Sequence, residues 1–138
     1  MILCDTSAWV EYDRATGSDV DRRLTELIST EGPVRVTEPV VAEVVAGARD
    51  DASEVRLRRL LARFPLLRCD AAVDLDAAAR LYRLCRRNGI TPRGLMDCLI
   101  AAIALRHGAS VLAADGDLHQ LATIVELRLD GPARVWLQ

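Results

Sequence analysis

The sequence predicts a single α/β domain, residues 1–138, in which helices cover both faces of a mostly parallel central sheet, a three-layer α/β/α sandwich. Three observations support this prediction. The length of 138 residues suits one domain with one core. Short apolar runs alternate with longer segments of helical period. The first run, Met1 to Cys4, lacks polar alternation, which is typical of a strand buried on both faces.

The predicted strands are the short apolar runs. The first ends at Asp5, and the second, Val34 to Thr37, follows the break at Glu31-Gly32-Pro33. The later ones are Leu66 to Cys69, Ser110 to Ala114 and the alternating run Val125, Leu127 and Leu129. A tail surrounds Val135 and Trp136.

Helices are predicted between the strands from apolar residues at helical spacing. Thr6 or Ser7 can cap the first helix, and Thr91-Pro92 opens the helix from Leu95 to Leu105. That helix is apolar on nearly every side, so we expect it to be the most buried. The other helices carry Ala8, Trp9 and Tyr12; Asp19 to Ser29; Val40, Val41, Val44 and Val45, ending at Gly47; Leu57, Leu60, Leu61 and Phe64; Ala78, Leu81, Tyr82 and Cys85, ending at Asn88-Gly89; and Leu118 to Ala122.

Composition limits the possible functions. The net charge of −2 gives no general attraction to nucleic acid, so such binding requires a local basic patch. All 18 basic residues are arginine, which excludes mechanisms that use a lysine amine. The cysteines, Cys4, Cys69, Cys85 and Cys98, are too dispersed for a zinc site. We interpret them as reduced core residues of a cytoplasmic protein without a membrane segment.

Five acidic residues interrupt or end apolar segments, whereas most of the others lie in polar surroundings. A carboxylate in such a place requires an arginine, backbone donors or a cation as its partner. In parallel sheets, ligands bind at the carboxyl ends of the strands, where Asp5 would lie. The five residues are Asp5, Glu43, Asp97, Asp115 and Asp117. A shared hard cation would satisfy the whole group.

Structural roles are the alternative for these acids. As helix caps or turn residues they would serve backbone N–H groups rather than a cation. Asp97 fits this alternative poorly, because Cys98 to Ala102 follow it without a polar face. The alternatives are a cap of the next helix, together with Thr6, for Asp5; a water-facing helix edge for Glu43; an Asp-Gly turn for Asp115; and the cap of the helix at Leu118 for Asp117.

The chemistry indicated by the acidic group is phosphodiester hydrolysis. Oxygen ligands without histidine or cysteine select Mg²⁺ or Mn²⁺ over zinc. Such ions bind phosphate oxygens, activate water and stabilise a leaving oxygen. His107 and His119 are interpreted as surface helix residues, whereas Thr6 and Ser7 can cap a helix and also hold a phosphate or a water molecule on the ion. No Gly-rich phosphate loop or G-x-S-x-G motif suggests another chemistry.

Five segments resemble, in order and spacing, the PIN-domain ribonucleases of the VapC toxin type. The resemblance covers essentially the whole chain and implies a PIN-like fold. Leu118 departs from the family's Asp-x-Asp-Phe motif, which affects packing more than a metal site. The segments are Ile2 to Trp9, Glu43 to Gly47, Tyr82 to Arg86, Arg93 to Ala102 and Leu112 to Leu118.

This resemblance implies an Mg²⁺- or Mn²⁺-dependent endoribonuclease, the toxin of a toxin–antitoxin pair, which inhibits translation by cleaving RNA. It also implies a small VapB-type antitoxin, which often supplies an arginine near the site, together with a homodimer and a toxin–antitoxin hetero-oligomer. The implied catalytic set is Asp5, Glu43, Asp97 and Asp115, and the predicted metal-binding set is Asp5, Asp97, Asp115 and Asp117.

RNA can reach an acidic centre only if positive charge surrounds it. Arg93 precedes Asp97 and can touch substrate phosphate or orient a carboxylate. Trp9 and Tyr12 more readily suit the core or a dimer contact than base stacking. Two predicted helices offer phosphate-binding arginines, with a solvated helix face as the alternative: Arg56, Arg58, Arg59 and Arg63, and Arg80, Arg83, Arg86 and Arg87.

Two rival functions come from other classes. A receiver-like or phosphatase domain also places an aspartate after its first strand, but it normally uses a lysine near the phosphoryl group. A non-catalytic acidic binding module would act by sequestering a partner. Metal-dependent RNA cleavage by the purified protein distinguishes the nuclease from this module.

Overall fold

The sheet is the centre of the fold in the computed structural model, which describes residues 1–131. Its three parallel strands are β1 (Ile2–Cys4), β2 (Val34–Arg35) and β3 (Ser110–Leu112). They lie side by side in the order β2-β1-β3. Ile2 pairs with Val34 on one side and with Ser110 on the other. The predicted α/β fold with a parallel sheet is therefore confirmed.

Helices connect and cover the strands, and the predicted helix over 19–29 has those bounds. In the described part of the chain the helices are α1 (Thr6–Arg14), α2 (Asp19–Ser29), α3 (Glu38–Ala46), α4 (Asp51–Leu61), α5 (Ala71–Arg87), α6 (Leu95–His107) and α7 (Gly116–Leu121). None of these helices is both long enough and apolar enough to cross a membrane.

The core surrounds β1 and α6. Both faces of β1 are covered, since Ile2, Leu3 and Cys4 are all buried. All seven residues over 98–104 of α6 are buried, as the absence of a polar face predicts. This helix packs against α3, α5, α7 and β3 and ends at Gly108, whose φ of +67° favours glycine. Its amino-terminal turn lies beside the carboxyl edge of the sheet.

Trp9 and Tyr12 pack in or against the core, which is one of the two positions expected for them. Trp9 is 1% exposed, and its ring lies 6.1 Å from that of Tyr12 and 5.3 Å from that of Phe64. Phe64 follows α4 instead of ending it, because the helix stops at Leu61. These contacts join α1 to the turn after α4, and they leave Trp9 unavailable for stacking on bases.

Two predicted strands are reduced to single bridges. Leu66 pairs with Val36, but the chain then turns away because the Cys69 backbone N–H donates to Glu38 Oε1 at 3.0 Å. Leu129 pairs with Val111, whereas Val125 and Leu127 do not join the sheet. A tight hydrogen bond from Leu127 N to Val125 O, 2.8 Å long, prevents extension there. The predicted tail at Val135 and Trp136 lies outside the described residues.

Two predicted helix starts are wrong. Asp5, not Thr6 or Ser7, is the N-cap of α1, because its extended backbone places the carboxylate against Ser7 N. Gly94, not Thr91-Pro92, precedes α6. The backbone N–H of Arg93 donates to Asp117 Oδ2 at 3.2 Å, which holds the preceding segment as a loop.

Candidate metal centre

Three of the five acids meet where strand ends and a helix start converge. β1 and β3 are parallel neighbours, so Asp5 and Asp115 follow the same edge of the sheet. Asp97 lies in the first turn of α6, beside that edge. One carboxylate oxygen from each of Asp5, Asp97 and Asp115 lies within 4.8 Å of the others. We call these three residues the carboxylate cluster.

Asp5 is the most buried member, with 2% exposure. Its Oδ2 accepts hydrogen bonds from Ser7 Oγ at 2.7 Å and from Ser7 N at 3.4 Å. Its Oδ1 is buried and makes no hydrogen bond with the described residues. Burial raises the pKa of Asp5 to about 6, although the hydrogen bonds from Ser7 oppose this rise. One oxygen is thus left for a ligand.

Ser7 ties two parts of the site together. Its hydroxyl donates to Asp5 and accepts hydrogen bonds from the backbone N–H groups of Ala114 and Asp115, at 2.9 and 3.2 Å. One donor and two acceptor positions are the whole capacity of a hydroxyl. Ser7 therefore positions the cluster, and its hydroxyl is not free to bind phosphate in this conformation.

The pKa of Asp97 is strongly raised by its surroundings. Burial, the charges of Asp115 and Asp5 and a hydrogen bond to Asp117 together raise its pKa to about 8, and burial has the largest effect. Without a cation, Asp97 consequently holds its proton near neutral pH. Three carboxylates that cannot all ionise together are stabilised by a positive ion.

Asp115 caps the short helix α7, so the structural alternative considered for Asp117, a cap of this helix, is wrong. Asp115 Oδ1 accepts a hydrogen bond from Asp117 N at 2.7 Å. The Asp-Gly sequence places Asp115, rather than Asp117, immediately before the helix. Asp117 lies outside the carboxylate cluster as defined above.

Arg93 bridges the two acids at α7. Its Nη2 donates to Asp115 Oδ1 at 3.1 Å and its Nε to Asp117 Oδ2 at 3.3 Å, while the side chain remains 78% exposed. The sequence predicted that Arg93 touches substrate phosphate or orients a carboxylate, and these hydrogen bonds correspond to the second role.

Glu43 reaches the site through Thr6. The Thr6 hydroxyl donates to Glu43 Oε1 at 2.6 Å, which connects α3 to the start of α1. Glu43 is partly buried and is not a member of the carboxylate cluster. The predicted water-facing helix edge is therefore only part of its environment.

Histidine and cysteine do not contribute to the cluster. His107 Nε2 lies 3.0 Å from Arg68 O, and His119 Nε2 lies 3.0 Å from Ala113 O. Cys4, Cys85 and Cys98 are buried, Cys69 is partly buried, and all four are free thiols. Burial raises the pKa of the Cys4 thiol, which further disfavours a metal-binding thiolate.

The donor set fits a hard divalent cation. Its ligand atoms are carboxylate oxygens, one buried oxygen has no hydrogen-bond partner, and two carboxyl groups hold their protons more tightly than usual. These properties match a hard divalent cation, which prefers oxygen ligands.

Comparison with known proteins identifies the family to which the chain belongs. The family model described as "PIN domain" matches residues 2–124 of the chain. VapC ribonuclease Mb1587 of Mycobacterium bovis and ribonuclease VapC11 of Mycobacterium tuberculosis are each 46% identical over 129 residues. Those alignments cover 93% of this chain and 96% of each relative. The chain therefore belongs to the PIN-domain family, and within it to the VapC ribonucleases.

Solved structures share the fold at lower sequence identity. VapBC2 of Rickettsia felis, bound to a DNA fragment from its promoter, has a TM-score of 0.72 at 20% identity, over 94% of this chain and 98% of that one. VapBC-1 of nontypeable Haemophilus influenzae has a TM-score of 0.71 at 20% identity, over the full length of both chains. The Mycobacterium tuberculosis VapC20 toxin, which cleaves the sarcin–ricin loop, has a TM-score of 0.66 at 21% identity, over 93% and 99%.

Proposed function

We propose that this chain is an endoribonuclease that depends on Mg²⁺ or Mn²⁺ and hydrolyses RNA phosphodiester bonds. The observation that carries this proposal is the carboxylate cluster, in which Asp5, Asp97 and Asp115 converge within 4.8 Å. Membership of the VapC ribonucleases, at 46% identity, supports the choice of RNA as the substrate. We further propose that residues 1–138 act as one nuclease domain.

Each site residue has a role in this proposal. Asp5, Asp97 and Asp115 would hold the cation, with Asp117 assisting from its position beside Arg93. Glu43 completes the catalytic acidic set and is oriented by the Thr6 hydroxyl. Ser7 fixes the distance between Asp5 and Asp115. When bound, the cation would supply the electrostatic stabilisation that phosphodiester hydrolysis requires.

The proposed biological role is that of a toxin. RNA cleavage by such an enzyme would inhibit translation, and a small antitoxin of the VapB type would restrain it in the cytoplasm. The solved VapBC complexes with the same fold support a protein partner of this kind. We also propose a homodimer within the toxin–antitoxin assembly.

The proposal is tested by RNA cleavage with the purified chain, free of antitoxin. We expect cleavage with Mg²⁺ or Mn²⁺ and none after EDTA treatment. Asp97→Asn should reduce the rate by more than about a hundredfold, since it removes a cation ligand. The same variant should remain folded, because asparagine resembles the protonated Asp97 that the raised pKa favours at neutral pH.

A matched control is Asp51→Asn, which changes the same charge at an exposed helix start. It should cleave RNA like the wild type. Cleavage that survived EDTA or Asp97→Asn would contradict the mechanism. Tight antitoxin binding without any RNA cleavage would instead favour the non-catalytic binding module.

A further inference from the structure

Three arginines near the carboxyl end of α5 form an exposed cluster, which we call the basic face. Arg83, Arg86 and Arg87 are spaced three and four residues apart, so they project from the same side of the helix. Together they line a surface cavity of about 520 Å³, and no acidic residue among those that the structure describes lines it. All three side chains belong to exposed residues.

The basic face is not neutralised within the described residues. Arg83, Arg86 and Arg87 form no ion pair there, whereas Arg80, one turn earlier, pairs with Asp76 at 2.8 Å. Like charges three and four residues apart on a helix repel one another. The negative end of the helix dipole at the carboxyl end of α5 offsets part of this repulsion, but it leaves the cavity positively charged. Such a surface suits an anionic partner.

The position of the basic face connects it to the carboxylate cluster. α5 ends at Arg87, and a short loop leads to α6, whose first turn carries Asp97. The two helices pack along each other. Cys85 lies on the buried side of α5, and the pKa of its thiol is raised by burial and, to a smaller extent, by the charge of Asp117. The basic face therefore lies at the end of α5 that adjoins the acidic site.

The competing arginine group on α4 is partly neutralised. Arg56 pairs with Asp13, and Arg58 pairs with Glu54 at 2.8 Å. Within the described part of the chain, the exposed arginines of α4 and of the segment between α4 and α5 that form no ion pair are Arg59, Arg63 and Arg68, and Arg63 lies over the Phe64 ring. The basic face is therefore the better candidate for binding a polyanion.

We infer that the basic face binds the phosphate backbone of the RNA substrate and holds the strand beside the acidic site. This inference rests on the proposed ribonuclease function. An acidic centre in a chain with a net charge of −2 does not attract RNA by itself, so the backbone must be bound by positive charge nearby. The contacts are to phosphates, so we expect them to contribute affinity rather than sequence preference.

The experiment measures the affinity of a fluorescent single-stranded RNA oligonucleotide by anisotropy in EDTA, which prevents cleavage. The variant is Arg83→Gln, Arg86→Gln and Arg87→Gln combined. We expect its Kd to rise at least about tenfold. The slope of log K against log salt should become shallower by about 2, because three single-strand phosphate contacts are lost. With Mg²⁺ present, KM should rise while kcat changes little.

The matched control is Arg59→Gln, Arg63→Gln and Arg68→Gln combined, which changes the net charge equally. It should retain near wild-type affinity. The lysine variant of the basic face, Arg83→Lys, Arg86→Lys and Arg87→Lys, should retain most of the affinity and salt dependence, since phosphate contacts require mainly positive charge. Unchanged Mn²⁺ affinity in all three variants would show that the acidic site is intact.

Three results would overturn the inference. The first is wild-type RNA affinity in the glutamine variant of the basic face. The second is an equal loss in the control variant, which would mean that only total charge matters. The third is loss of antitoxin binding with RNA affinity retained, which would assign the surface to a protein partner. If the wild type bound RNA but failed to cleave it with Mn²⁺ bound, the proposed function would fail instead.

Discussion

Asp5 has a structural and a chemical role at the same time. Its Oδ2 caps α1 through Ser7, while its buried Oδ1 faces no hydrogen-bond donor in the described residues. Asp115 likewise caps α7 and belongs to the carboxylate cluster. The cap and the site were alternatives at the level of sequence, but a carboxylate has two oxygens and can serve both.

Replacing Asp5 separates these two roles. Asp5→Asn keeps an oxygen for the cap and removes a negative charge from the cluster. We expect Mn²⁺ affinity to fall by about ten- to a hundredfold. The melting temperature without metal should stay unchanged or rise slightly, because repulsion and the cost of burying a charge are reduced.

Asp5→Ala provides the comparison, since it removes both the charge and the cap. It should lose metal affinity as well, and it should also lose stability by about 1 kcal/mol from the missing cap. Mn²⁺ titration and thermal melting in EDTA measure the two effects. A large fall in melting temperature for Asp5→Asn in EDTA would contradict this assignment.

Asp74 is a buried acid with a purely structural partner. It is 1% exposed, and both of its oxygens accept hydrogen bonds from Arg106, at 2.8 and 2.9 Å. The hydrogen bond from Arg106 lowers the pKa of Asp74. Arg106 also donates to Arg68 O at 2.6 Å, so it joins α5, α6 and the loop before α5.

Loss of Arg106 should therefore be costly. Arg106→Ala leaves the Asp74 carboxylate buried without its cation, and we expect unfolding at neutral pH to require about 3 kcal/mol less. Arg80→Ala is the control, because its pair with Asp76 is exposed and should contribute well under about 1 kcal/mol. Urea denaturation measures both. Equal effects of the two variants would show that burial of Asp74 is not decisive.

At the scale of elements, the ends of β1 and β3 and the start of α6 bring like charges together. The resulting rise in pKa means that the folded chain without metal holds more protons than the unfolded chain above about pH 4. The extra protons stabilise the folded state, and this stabilisation is complete below the pKa that the two carboxyl groups have in the unfolded chain. It is lost as the pH rises through the folded pKa values of about 6 for Asp5 and about 8 for Asp97.

Metal-free protein should accordingly become less stable between pH 5 and pH 8, and Asp5 alone should contribute roughly 1.4 kcal/mol of this loss. Asp74 does not mask this trend, since its lowered pKa acts only at more acidic pH. A divalent cation should raise the melting temperature more at pH 8 than at pH 5, because it competes with protons. Melting curves with EDTA or Mg²⁺ measure both trends.

Asp97→Asn is the control for this pH dependence and should flatten it. Greater stability of the metal-free wild type at pH 8 than at pH 5 would show that the carboxylates of the cluster do not destabilise the folded state by repulsion. The element that creates this situation is α6, whose buried face fixes Asp97 beside Asp5 and Asp115.

At the scale of the whole molecule, the small negative net charge is the sum of separate acidic and basic regions of the surface. The carboxylate cluster lies at the carboxyl edge of the sheet, and the basic face lies at the adjoining end of α5. Most of the ion pairs elsewhere, such as Arg58 with Glu54, neutralise exposed helix surfaces. This distribution suits a substrate whose backbone is anionic and whose reaction requires a cation.

The sequence alone determined the class of fold and most helices of this protein. Burial of every residue in β1, the course of α2 and the apolar surface of α6 all follow from local composition and periodicity. These properties depend on neighbouring residues in the chain, so the sequence expresses them directly. The five unusual acids were recognisable for the same reason, because a charge inside an apolar segment is a local anomaly.

Only the tertiary structure decided how these residues are arranged. It brought Asp5, Asp97 and Asp115 together, gave the cap of α7 to Asp115, linked Glu43 to Thr6 and buried Asp74 against Arg106. It also reduced the strands predicted at Leu66 and Leu129 to single bridges. Each outcome depends on contacts between residues distant in sequence or on competition among donors for one oxygen. Local periodicity contains no information about such contacts or about such competition. Both are determined when the sheet and α6 pack together.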